Sequence, residues 1–309
     1  CLHYAYSYAR MYTQQNKKHF REEIKMKKFK KLFLAIMVLT IGVISTVLLV
    51  GCNKVPTVAN VIESEEVEEY ALAVKKGNSK ILGQINEFLA LPDTKEFIST
   101  SIAFHKPAES GEKIDYSKAP IKASVLKDNK GATITMLTEA SFAPYEYVLN
   151  SGDSQVNGVA GSDVDLMIAF CEKYDYKLKV EQYLFDSIIP TLQQDSTGLM
   201  VGAAGMTITP DRAEKVDFSD PYTTSQQAII SLKETGYKTL EELAGKTVGV
   251  QSGTTGELVI KKYNEANPKA KITIKPYPKF TQAFMDLKQQ AIDAVVADKF
   301  VAFALVAKG

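Results

Sequence analysis

The hydrophobic pattern divides the chain into three textures. Leu32 to Val50 is an unbroken run of 19 uncharged residues behind the basic cluster Lys27-Lys28-Phe29-Lys30-Lys31, long enough for a membrane span and on the long side for a signal-peptide core. Asn53 to about Glu69 is polar and acidic and reads as a tether with one short strand at Thr57 to Ile62. From Tyr70 the pattern becomes that of a globular protein. Tyr70 to Val74 predicts a strand and Lys76-Gly77-Asn78 a turn with Asn78 as N-cap. Ser79 to Leu91 predicts a helix, because Ile81, Leu82, Ile85, Phe88 and Leu89 recur at helical spacing. A further helical turn or two is expected between Thr94 and Ile102, and residues 105–130, rich in lysine, glycine, proline and serine without a sustained period, read as a linker.

After the linker, strands and helices alternate. Strands at Thr133 to Leu137, Lys177 to Gln182 and Leu199 to Ala203 are interleaved with helices at about Asp163 to Tyr174 and Asp186 to Gln194. A second unit has strands at Gln227 to Leu232, Thr247 to Gln251, Ile272 to Lys275 and Ala294 to Ala297, with helices at about Thr255 to Ala266, Phe280 to Gln290 and Lys299 to Ala307. This rhythm implies an α/β fold of two lobes, each a mainly parallel sheet flanked by helices, with a ligand cleft between them.

Charge changes the picture more than composition does. Of the 37 basic and 36 acidic side chains, residues 1–51 hold nine and two, which leaves 28 basic and 34 acidic from Cys52 onward. A nucleic-acid partner is not expected for a part with that balance. Of those 28 basic residues, Arg212 is the single arginine, and a planar fork for a carboxylate or phosphate is what arginine offers over lysine. Cys1, Cys52 and Cys171 make neither a disulfide framework nor a metal cluster, and Cys171 falls in an apolar helical pattern, as a buried structural thiol would. His105 is the lone histidine after residue 51, so neither a zinc site nor Ser-His-Asp catalysis is expected, and no cofactor motif is present.

Three polar clusters follow predicted strands, at the carboxyl ends where open parallel sheets place their ligands. The first is Gly205-Met206-Thr207-Ile208-Thr209-Pro210-Asp211-Arg212, with Thr209 and Pro210 suited to an N-cap and first helical position. The second is Ser252-Gly253-Thr254-Thr255-Gly256, an anion seat at a helix N-terminus that taken alone is equally a tight turn. The third is Asp298, suited to a cationic group and equally to capping the next helix. One carboxylate clamp with one ammonium acceptor describes an α-amino acid.

Several segments together resemble the amino-acid-binding proteins of bacterial ABC importers, family 3 of the extracellular solute-binding proteins, with the type II periplasmic-binding-protein fold. They are Ala143-Pro144-Tyr145-Glu146-Tyr147, Gly161-Ser162-Asp163-Val164-Asp165-Leu166, Phe185-Asp186-Ser187-Ile188-Ile189-Pro190, Gly205 to Arg212, Val216 to Tyr222 and Val248 to Thr254. The resemblance covers most of residues 131–309. It implies that Arg212 forks onto the ligand carboxylate with help from Thr207, Thr254 and Thr255, that Asp298 and the Gly205 carbonyl take the ammonium, and that Phe142 and Phe185 sandwich the ligand side chain. Glu139 stands where relatives place an acid near the pocket, which favours arginine, lysine or ornithine; Gln251 and the aromatic walls suit glutamine equally, and Glu139 could also be a solvated strand-end acid. The same fold serves as the sensing module of receptors and as a periplasmic dehydratase, and a non-enzymatic binding role is expected here because no acid-base pair beyond Glu139 and Asp298 is evident.

Leu49-Val50-Gly51-Cys52 is similar to a bacterial lipobox, which implies cleavage before Cys52, diacylglycerol on its sulfur and an outer-face membrane anchor; an ordinary signal anchor ending in cysteine would also leave the remainder outside. Residues 1–25 have no clear period and Met26 opens the basic cluster, so translation is expected to start there. Relatives continue past the helix matching Lys299 to Ala307 into a hinge-returning strand and a last helical segment, and Val58 to Ile102 resembles that end placed before the beginning. The expectation is a circularly permuted monomer that hands its ligand to a permease, with truncated tandem copies as the alternative. The layout is a signal peptide at 26–51, a tether and short second-lobe segment at 52–69, a first lobe at 70–105 plus 131–222, a joining linker at 106–130, and a second lobe at 223–309 plus about 57–64.

Overall fold

The computed structural model describes residues 58–149 and 155–307, all within the compact unit Val55–Gly309. The start at Met26, the signal segment and Cys52 lie outside the described residues. Among the described residues no helix is long and apolar enough to cross a membrane.

Two five-stranded sheets carry a two-lobed α/β fold. One contains β2 (Ala73–Lys75), β3 (Thr133–Thr138), β7 (Lys177–Gln182), β8 (Met200–Gly202) and β9 (Val216–Phe218) in the order β7-β3-β8-β2-β9. The other contains β1 (Val58–Tyr70), β10 (Thr223–Leu232), β11 (Thr247–Gln251), β12 (Thr273–Tyr277) and β13 (Ala294–Asp298) in the order β1-β10-β13-β11-β12. A small antiparallel sheet of β4 (Ser141–Phe142), β5 (Glu146–Val148) and β6 (Val159–Ala160) follows β3. β3 is parallel to β7 and β8, and β11 to β12 and β13, whereas β2 is antiparallel to β8 and β9, and β10 to β1 and β13. Each sheet is therefore half antiparallel rather than mainly parallel. The antiparallel members are the strands next to the two places where the chain passes between sheets, from β1 to β2 and from β9 to β10, and such neighbours need no crossover helix.

From Val58 the expected tether is strand throughout: the 13-residue β1 extends the short strand expected at Thr57 to Ile62 on to Tyr70. Its acidic second half shows no strand pattern, but the ladder to β10 supplies the order and its place at the edge of the sheet leaves one side open to water. The strand expected over Tyr70 to Val74 is split, with β1 ending at Tyr70 in one sheet and β2 beginning at Ala73 in the other. The helices α1 (Ser79–Leu89), α2 (Pro92–His105) and α3 (Pro107–Ser110) follow, and the Asn78 side chain caps α1 by accepting from the Ile81 amide at 3.5 Å. After β6 come α4 (Ser162–Lys173), α5 (Phe185–Gln193), α6 (Pro210–Ala213), α7 (Thr255–Ala266), α8 (Phe280–Lys288) and α9 (Lys299–Ala307).

The linker is fastened down. It holds α3 and 3-10 turns at Tyr116–Lys118 and Ala123–Asp128, its Ile121, Val125 and Leu126 pack on the first core with Ile81, Ile85, Phe88, Met136, Ile168 and Phe170, and the Asn129 amide donates to the carbonyls of Cys171 at 3.0 Å and Tyr176 at 2.7 Å. Cys171 is fully buried, and burial pushes its thiol up to about 12.

A buried polar knot ties α2 to α4. His105 Nε2 lies 2.9 Å from Asp165 Oδ2 and its Nδ1 lies 2.6 Å from the Tyr147 hydroxyl, while Ser101 donates to the same Asp165 oxygen at 2.7 Å. His105, Ser101 and Asp165 have no solvent exposure, so removing the shared acceptor strands two donors in an apolar surround. Asp165→Ala is expected to lower unfolding free energy by about 3 kcal/mol, read from denaturant unfolding; a loss within the noise of a surface substitution would show that the knot contributes nothing.

Candidate functional site

The site begins at the carboxyl end of β8. Gly205 takes φ +53°, and a side chain there would run into the Phe142 ring, so both the backbone and the space call for glycine. Thr209 then caps α6 by accepting from the Arg212 amide at 3.3 Å, with Pro210 as its first residue. This single helical turn points Arg212 back at the loop. Its Nη1 donates to the Thr207 carbonyl at 2.7 Å and its Nη2 to the Gly253 carbonyl at 2.9 Å, and its guanidinium lies 5.2 Å from the centroid of the Phe185 ring. Arg212 is only 6% exposed, and burial lowers its pKa to about 10, opposed by the charge of Glu68 and by Tyr70.

The other sheet brings its groups from the ends of β11 and β13. Gly253 turns the chain with φ +77°, Thr254 precedes α7 and Thr255 opens it, and the Thr254 hydroxyl donates to the Gln251 carbonyl at 2.8 Å. Asp298 accepts the Tyr70 hydroxyl through Oδ2 and the Phe300 amide through Oδ1 at 2.9 Å, so it both caps α9 and faces the cavity. Burial raises its pKa to about 6 against the donors Ser225, Tyr70 and Phe300.

One cavity is lined by Glu139, Phe142, Phe185, Gly205, Thr207, Arg212, Gln251, Thr254, Thr255 and Asp298 together with Tyr70, Glu146, Gln227 and Phe280. All ten residues singled out in the sequence thus meet in one place. Their partners differ in detail from the expected roles: the Arg212 fork holds two backbone carbonyls, Phe185 faces the guanidinium, and Phe142 packs on Tyr70 and Tyr145 at 6.2 and 5.2 Å between centroids. The Gln251 amide donates to the Pro278 carbonyl at 3.0 Å. Glu139 is buried, not a solvated strand end; it accepts from Ser141 at 2.5 Å and lies 3.6 Å from the Lys279 ammonium.

Of the four further lining residues, Tyr70 and Glu146 lay in segments already marked by the resemblance, whereas Gln227 and Phe280 gave no signal beyond β or helical pattern. Glu146 is fully buried, and burial and the neighbouring Asp163 carboxylate push its pKa well above the usual range. Asp163, raised by burial to about 6, is held by the Gly205 amide at 3.0 Å and the Tyr222 hydroxyl at 2.8 Å.

With this geometry established, comparison with known proteins identifies the family. The model of the bacterial extracellular solute-binding proteins, family 3, matches residues 134–300, and the chain belongs to that family. It is 34% identical over 169 residues to the arginine-binding extracellular protein ArtP of Bacillus subtilis, covering 55% of this chain and 62% of that protein. It is 35% identical over 170 residues to the putative ABC transporter arginine-binding protein 2 of Escherichia coli K12, covering 55% and 64%. Matches to these curated relatives therefore span less than two thirds of their length. Among solved structures, an ancestral arginine-binding protein bound to arginine is 41% identical over 58% of this chain and 74% of its own, with a TM-score of 0.51. Holo ArgBP from T. maritima is 38% identical over 57% and 73%, with a TM-score of 0.50.

The raised carboxyls set a pH dependence with a definite sign. Asp163 and Asp298 bind protons more tightly folded than unfolded, so their stabilising contribution is complete below the unfolded carboxyl pKa of about 4 and is lost as pH rises through about 6. Carboxyls held low by donors, such as Asp217 beside Gly77 and Lys76, lose their contribution only below about pH 4. The denaturation midpoint should therefore rise between about pH 7.5 and pH 5, and Asp298→Asn should flatten the rise; a midpoint that falls over this interval contradicts the assignment.

Proposed function

We propose that this chain is the capture subunit of an ABC importer, taking a polar, cationic amino acid of the arginine type outside the cell and delivering it to a membrane permease. The observation that carries the reading is the pairing, in one cavity, of a buried guanidinium flanked by three threonines with a buried carboxylate, Asp298, under aromatic walls. An α-amino acid offers the complementary carboxylate and ammonium. Glu139 supports a cationic side chain, because a ligand cation can take the place of the Lys279 ammonium 3.6 Å from its buried carboxylate; Gln251 gives one amide hydrogen to the Pro278 carbonyl. The two curated relatives named above are described as arginine-binding, while others are described as histidine-binding.

Delivery fits a lipid anchor at Cys52 on the outer face of the membrane, with the chain acting as a monomer. In this reading the lobes close on the ligand about the strands that pass between the sheets, a population shift in which the ligand stabilises the closed form because it touches both lobes there. The chain order is that of a circular permutation. Support comes from β1 and β2, which precede β3 in sequence yet are hydrogen-bonded members of both sheets. The intact fold should show one cooperative melting transition, raised by L-arginine more than by L-glutamine in a thermal-shift screen. Two independent transitions would break the permuted reading, and no shift with any amino acid would break the capture reading.

Arg212→Lys is expected to weaken binding by roughly one to two decades, because a point charge replaces a two-pronged donor. Calorimetry that finds the affinity unchanged would remove Arg212 from the clamp.

A further inference from the structure

The hydroxyls of the clamp already have an occupant within the chain. Side chains two residues apart share a face of a strand, and Glu68 and Tyr70, near the end of β1, both reach the cavity region. Tyr70 gives its hydroxyl hydrogen to Asp298. A single oxygen of Glu68, Oε2, accepts from Thr207 Oγ1 at 2.8 Å, Thr255 Oγ1 at 3.0 Å and Gln227 Nε2 at 3.2 Å. Thr207 follows β8 of one sheet, whereas Gln227 and Thr255 belong to the other sheet and its helix, so this one oxygen is tied to both lobes. β1 thus offers the cavity a carboxylate at the threonines and a donor at the acid, the two chemistries that an α-amino acid carries.

A hydroxyl has one hydrogen to give. While Thr207 and Thr255 give theirs to Glu68, neither can give it to a second carboxylate, and two carboxylates at one set of donors repel. Glu68 is only partly buried, so water can receive its charge when it is displaced.

We infer that Glu68 is a built-in competitor for the ligand's α-carboxylate, so that binding exchanges one carboxylate for the other at Thr207 and Thr255 and displaces the end of β1 as it does so. The inference rests on the reading of the cavity as an amino-acid site. Its consequence is an affinity below the limit of the clamp, with the difference recovered when Glu68 is removed. The exchange concerns the carboxylate alone and is blind to the ligand's side chain.

The test uses the full chain and two probes, L-arginine and agmatine, which keeps the amine and guanidinium but has no carboxyl group, each measured by competition against labelled arginine. Glu68→Ala should tighten L-arginine by about tenfold, the equivalent of one charge-assisted hydrogen bond, and should leave agmatine within about twofold of its affinity for the unsubstituted chain. Glu68→Gln, which keeps an acceptor without the charge, should fall between. Weaker L-arginine binding by Glu68→Ala would make Glu68 a ligand contact and overturn the inference; unchanged binding would also overturn it. Equal tightening of both probes would point to a softened hinge and overturn it as well. If the unsubstituted chain binds neither probe and no other amino acid, the reading of the site falls and the inference falls with it, whereas binding without a gain removes the inference alone.

Discussion

A guanidinium taken out of water must be given partners, and meeting that need at Arg212 organises the cleft. The residue is nearly buried, and each arm of its fork is fixed to a carbonyl from a different lobe, Thr207 on one side and Gly253 on the other. The positive φ at Gly205 and Gly253, the Thr209 cap and the Phe185 ring under the guanidinium all serve that placement. Lysine could reach one of those carbonyls but could not hold both in a plane. The fold's two sheets therefore meet at a polar joint with defined geometry.

Much of this could be read from the chain beforehand, for reasons that differ by element. The boundaries of β11, α7 and α9 were legible because each is an apolar or helical pattern bounded by turn or capping residues. The strands β4, β5 and β6, two or three residues long, are too short to show a period. Only the first part of β1 was readable, as the short strand expected at Thr57 to Ile62; the rest takes its order from the β10 ladder, and its glutamates carry no alternation of apolar and polar positions. The ten candidate site residues converge on one cavity because they lie at the carboxyl ends of strands or in loops that follow them, where topology places a ligand. Glu68, Tyr70, Gln227 and Phe280 were missed because only three-dimensional contact brings them there.

The acid content of the cavity has a physical implication beyond the clamp. Glu68, Glu139, Glu146 and Asp298 surround or adjoin a site with one guanidinium, and Glu146 sits deep enough for burial to favour its neutral form. With Glu146 neutral, Glu68, Glu139 and Asp298 stand against Arg212 and Lys279, and an exchange that moves Glu68 into water leaves two carboxyls facing two cations.

The short helix α3 gives the chain order a mechanical side. It follows α2 of the first lobe directly and packs against α9 of the second, and Glu109 on it is buried with its pKa raised by burial to about 7. The segment after α2 therefore does more than span a gap. Any separation of the two sheets has to peel α3 from α9 or carry α3 along, so the stroke available to the cleft is limited by the tether length and grip of a four-residue helix, in the way that a door chain limits a door whatever the freedom of its hinges.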